Sequence, residues 1–164
     1  MQTCTIENGG WSALFAPACG GRLIRLRWNG FDLLRTPATE AELREGLYVY
    51  GIPVLLPPNR IDGGTFRFRG RRYQLPLNEP QRNNHLHGLL TTREWELRGN
   101  AGGIVTLGCE VEESAGLGVP FDVEIRYEFS DRVLVQRTVV RNNGNVPMPF
   151  GIGFHTVFRT PRRA

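Results

Sequence analysis

Three histidines, an arginine and two asparagines are the residues of this 164-residue chain whose types and settings suit site chemistry. His85 and His87 stand two apart in Asn84-His85-Leu86-His87-Gly88, and His155 follows much later in Gly153-Phe154-His155. Histidine gains and loses its proton near neutral pH, which fits it for acid–base work. If residues 85–87 are extended, both imidazoles point to one face, because side chains alternate along a strand. The bland reading is a core histidine bonded to backbone; His85 suits it most, and it stays open for His87 and His155. Arg60 follows Asn59 and the stiff Pro57-Pro58 pair. It reads either as a surface side chain or as a fork of donors for hydroxyls or a carboxylate.

The same inventory excludes other chemistries. Zinc needs three or four ligands, and the histidines have no Cys or carboxylate at matching spacing, so no metal is expected. There is no GxSxG elbow for a serine nucleophile. Glycine pairs at 9–10, 20–21, 63–64 and 102–103 fit neither GxGxxG nor a Walker loop. Cys4, Cys19 and Cys109 are odd in number and lack CxxC spacing. They read as reduced thiols of a cytoplasmic protein.

Net charge is +4, and all twenty basic residues are arginine. The Arg67, Arg69, Arg71, Arg72 cluster invites a nucleic-acid reading. Arg67 and Arg69 alternate with Phe66 and Phe68, however, as on the wet face of an antiparallel hairpin, so no nucleic-acid partner is expected. No apolar stretch is long enough for a bilayer, and the N-terminus lacks a basic-then-apolar leader. No membrane partner is expected either.

The elements that must position the site are strands. Twenty glycines, eleven prolines and few helical patterns favour an all-β protein rich in turns. Residues 2–6 and 11–16 read as a strand pair around Asn8-Gly9-Gly10. Residues 22–28 alternate, and Asn29-Gly30 turns them into residues 31–34. One helix is expected over 36–45, with Thr39 and Glu42 as a capping box and Gly46 as the stop. Val54-Leu55-Leu56 is a short apolar strand, and residues 66–75 form a hairpin around Gly70. Further strands are expected at 94–97, 103–112, 122–129 and 133–140, with His155 in the last apolar unit, 148–158. Together these imply a large antiparallel sheet or two packed sheets. Edges left unpaired would invite association.

These segments resemble the aldose 1-epimerase (galactose mutarotase-like) family in order and spacing. The resemblance is carried by Ala18-Cys19-Gly20-Gly21-Arg22-Leu23, Trp28-Asn29-Gly30-Phe31-Asp32-Leu33-Leu34, Pro57-Pro58-Asn59-Arg60-Ile61 and Gly64-Thr65-Phe66. It continues through Leu77-Asn78-Glu79, Asn84-His85-Leu86-His87-Gly88, Asp122-Val123-Glu124-Ile125-Arg126-Tyr127, Arg141-Asn142-Asn143-Gly144 and Gly153-Phe154-His155. It implies an antiparallel β-sandwich, here one unit over 1–164 that matches the N-terminal portion of the family fold and is incomplete at its C-terminal side. It implies an isomerase that interconverts the α and β anomers of a free hexose by ring opening. In that resemblance His155 matches the general acid, His87 the histidine on the ring-oxygen side, and Arg60 a residue holding sugar hydroxyls, with Asn59 and Asn84 as supports. No cofactor is implied. The family's base, a glutamate, and a sugar-binding aspartate match positions beyond this chain. The alternatives are a non-catalytic carbohydrate-binding or inactive remnant and a relative acting on phosphorylated hexoses. A homodimer through exposed sheet edges is expected.

Overall fold

The computed structural model describes residues 1–113 and 116–160. Two four-stranded antiparallel sheets form its body. The first is built from β1 (Cys4–Asn8), β2 (Trp11–Ala16), β3 (Arg22–Trp28) and β4 (Phe31–Asp32), in that order. Asn29 and Gly30 both take positive φ, 47° and 84°, which a two-residue hairpin turn of the primed type requires. The first strand begins two residues later than the alternation suggests, and β4 stops at Asp32.

The sole α-helix among the described residues, α1 (Glu40–Glu45), follows. Pro37 and the extended backbone of Thr39 keep residues 36–39 out of it, so the helix is shorter than 36–45. The Thr39 side chain accepts the Glu42 N–H at 3.1 Å, and Glu42 reaches back to the N–H of Ala38 at 2.8 Å. Gly46 closes the helix by donating to the Glu42 carbonyl at 2.8 Å. Leu43 is the helix's buried residue, packed with Ala16, Cys19 and Ile24 behind the first sheet. Successive strand side chains face opposite ways, so Leu23 enters the main core while Ile24 meets the helix side.

Short paired strands then build the site region: β5 (Val54–Leu55), β6 (Arg60–Asp62), the hairpin β7 (Thr65–Phe68) and β8 (Arg71–Gln74), and β9 (Asn84–Leu86). β6 pairs with β9 and β7 with β8, all antiparallel. The second large sheet runs β10 (Glu96–Ala101), β11 (Ile104–Val111), β12 (Phe121–Ser130) and β13 (Val133–Asn142). The last strand, β14 (Gly153–Phe154), pairs with β5.

The main core lies between the two large sheets. Phe15 of β2 meets Tyr127 of β12 at 5.0 Å, and Trp11 meets Phe129 edge-on at 6.0 Å. Phe121, Val123, Ile125, Tyr127 and Phe129 form a fully buried stripe on β12. Their neighbours on β13 behave differently. Leu134, Thr138 and Val140 pair with Phe129, Ile125 and Val123 yet are only half-buried, so cover for this face runs out at β13. The three cysteines are buried and unbridged. Among the described residues no helix is long and apolar enough to cross a membrane.

Candidate functional site

The site forms where three distant segments meet. β5 and β14 lie side by side, and the His155 N–H donates to the Pro53 carbonyl at 3.0 Å. Immediately beyond β5, Leu56 bridges to Gly88, and the Leu89 N–H reaches the Leu56 carbonyl at 2.9 Å. Gly88 has φ 83°, and a Cβ there would run into the Leu56 carbonyl oxygen. Glycine is therefore required for this approach. The contact brings the end of β9, and with it His87, against the start of β6.

Asn59 and His87 lock together across that junction. The His87 N–H donates to the Asn59 carbonyl at 3.0 Å, and the Asn59 N–H donates to His87 Nδ1 at 3.1 Å. Both residues have positive φ, 68° and 59°. Positive φ is uncommon outside glycine, and asparagine and histidine are among the residues that adopt it most readily. It also turns His87 out of the strand. His85 and His87 thus do not share a face, contrary to the extended reading. His85 is 1% exposed, with Nδ1 2.7 Å from the Pro76 carbonyl, which is the structural role. His87 turns toward His155 instead, with ring centroids 5.6 Å apart and planes 58° apart.

Because Nδ1 of His87 accepts a hydrogen bond, the neutral ring carries its proton on Nε2. Tyr48 meets this ring edge-on at 4.7 Å and donates its hydroxyl to the Leu86 carbonyl at 3.2 Å. Burial holds the His87 pKa below the usual histidine value; the charges of His155 and Arg60 push it the same way, and Glu79 opposes them. The result is a neutral donor beside a second imidazole.

Arg60 begins β6 and spreads its fork over a carboxylate. Its Nε donates to Glu79 Oε2 at 2.7 Å and its Nη2 to Glu79 Oε1 at 2.9 Å. Asn84 adds a bond from Nδ2 to Glu79 Oε2 at 3.4 Å, and Arg82 Nη1 lies 3.7 Å from Oε1. The Arg60 grip holds the Glu79 carboxyl well below the usual range, at about 2. The five expected site residues thus occupy one connected neighbourhood: Arg60 opens β6 with Asn59 just before it, Asn84 opens its partner β9 with His87 just past its end, and His155 lies beside His87. Sequence reasoning gave no role to Glu79 or Tyr48. Glu79 sits in a segment that carried the family resemblance, so a signal was present; nothing in the sequence around Tyr48 marked it. Among the described residues no group of three or more His, Cys, Asp or Glu is placed to hold a metal.

The fold is an antiparallel β architecture with this polar cluster at one junction of its strands, and comparison with known proteins places it in a family. The chain matches the aldose 1-epimerase family model over residues 2–163 and belongs to that family. It is 34% identical over 156 residues to the uncharacterized protein YihR of Escherichia coli (strain K12), an alignment covering 94% of this chain and 49% of YihR. A galactose mutarotase-like protein from Clostridium acetobutylicum superposes with a TM-score of 0.88 at 31% identity, over 95% of this chain and 50% of that one. Galactose 1-epimerase from Lactobacillus acidophilus shares the fold, with a TM-score of 0.77 at 20% identity, over 94% of this chain and 47% of that one. The chain spans about half the length of the relatives it matches.

Proposed function

We propose that the chain carries the acid half and part of the sugar-binding surface of an aldose 1-epimerase that interconverts the anomers of a free hexose. The observation that carries this reading is the meeting of His87 and His155, 5.6 Å apart, beside Asn59 and Arg60. In this reading His155, which is exposed, gives a proton to the ring oxygen. The anomeric hydroxyl loses its proton to a base, the C1–ring-oxygen bond breaks, and its electron pair stays on the now protonated oxygen. C1 becomes an aldehyde carbon. Rotation about C1–C2 and reclosure on the other face give the second anomer, with His155 taking its proton back. His87, neutral with a proton on Nε2, donates a hydrogen bond on the ring-oxygen side, and Arg60 holds hydroxyls with the N–H groups Glu79 leaves free.

The base is assigned to no residue of this chain. Glu79 is a poor candidate, because a carboxylate held down to about 2 has little appetite for a proton. A non-catalytic sugar-binding role is the second reading, because none of the side chains gathered in this cluster is assigned the part of the base. The expected assembly is a homodimer that covers the exposed sheet edges.

Interconversion of α- and β-galactose, followed by NMR exchange between their anomeric signals, tests both. Exchange faster than buffer supports the isomerase. Galactose-induced shifts at His87 and His155 without exchange leave only the binding role, and no shifts at all reject both.

A further inference from the structure

The function proposed above leaves Glu79 without work. It is 8% exposed, carries a full negative charge and sits against Arg60. We propose that Glu79 is a positioning residue that aims the Arg60 fork and offsets its charge, so that the pocket accepts an uncharged sugar and disfavours a phosphorylated one. This rests on the sugar-site reading.

A guanidinium offers two edges that can each grip an oxyanion at two points, Nε with Nη2 and Nη1 with Nη2. Glu79 occupies the first edge with two short bonds, 2.7 and 2.9 Å. The second edge remains, and it suits hydroxyl oxygens, which need donors and no net charge. Glu79 is itself fixed at both ends. Its backbone exchanges two bonds with Asn84, the Glu79 N–H to the Asn84 carbonyl at 3.1 Å and the Asn84 N–H to the Glu79 carbonyl at 3.2 Å. Its carboxylate also accepts from Asn84 Nδ2. Arg60, whose side chain is 42% exposed, would otherwise be a long, mobile fork. Without the carboxylate, Arg60 and Arg82 would stand together as two unopposed guanidinium groups, a ready phosphate site. The charge of Glu79 also reaches His87, where it counters the push from Arg60 and His155.

The test compares wild type, E79Q, E79D and the E79Q/R60Q double variant. Galactose, galactose 6-phosphate and inorganic phosphate are titrated by NMR, and the His87 ring signals are followed against pH. E79Q should bind galactose 6-phosphate and inorganic phosphate roughly tenfold tighter than wild type and galactose more weakly. Its His87 midpoint should fall below that of wild type, because the opposing negative charge is gone. The double variant should lose the phosphate gain. E79D keeps the charge but shortens the reach; it should keep the preference for galactose with weaker binding, and it decides the matter alone if E79Q does not fold. An unchanged preference and midpoint in E79Q, a phosphate gain that survives in the double variant, or an E79D that binds galactose like wild type would overturn the proposal. Wild type binding no sugar would reject the sugar-site reading, while inorganic phosphate and the His87 midpoint would still judge the role of Glu79.

Discussion

At the residue scale, two proton-bearing rings carry different burdens. His87 is held by Asn59 and pushed toward its neutral form; His155 is held through its backbone bond to Pro53 and its ring lies open beside His87. H155Q should therefore lower anomer exchange by roughly 100-fold or more, the usual contribution of a positioned acid, with an unchanged circular dichroism spectrum. Full activity in that variant would reject the assignment. The His87 C–H signals should titrate with a midpoint below about 6.5. The sign for stability follows from linkage: the unfolded chain takes up this proton at a higher pH than the folded one. Stability therefore falls as pH drops through the window between the two midpoints, and urea melts at pH 5 and 7 should differ in that direction.

At the element scale, the site depends on one close approach and one short helix is held by its cap. Gly88→Ala places a Cβ against the Leu56 carbonyl at positive φ. It should cost about 1–3 kcal/mol in denaturation and displace His87, reducing any sugar-induced shifts there. Thr39→Ala removes the cap of a six-residue helix. It should cost about 1 kcal/mol and leave the histidine signals in place, because α1 packs on a separate cluster of Ala16, Cys19 and Ile24. The hairpins were readable in advance because alternation and turn residues are local signals; Asn29-Gly30 is one such case. Boundaries shifted by a few residues where pairing partners decide the ends, as at β10, which starts at Glu96 and extends to Ala101 opposite Ile104.

At the scale of the whole molecule, apolar surface remains uncovered beside β13. Val133 and Val135 are 54% and 40% exposed, and the core-side residues of β13 are only half-buried. β13 also ends its sheet, so among the described residues its outer backbone groups have no strand partner there. Such an edge promotes pairing with another chain. Sedimentation should find a dimer, and V135K, which puts a charge on that strand, should shift it toward monomer. A wild-type monomer at high concentration would argue against edge pairing.

Sequence alone determined the all-β character, the turns and the capped helix, because each is written in short-range pattern; its ordered motifs offered five polar residues as candidates only. It did not reveal that His87 leaves the strand, which depends on its exchange of hydrogen bonds with Asn59, 28 residues away. Nor did it reveal the grip of Arg60 on Glu79, since β6 and β9 must pair before either side chain has a partner. The nearness of His155 to His87 is likewise a tertiary fact: their 67 intervening positions are closed only when β14 adds to β5. Contacts between distant segments carry no local signature, so the roles of these side chains were decided by folding.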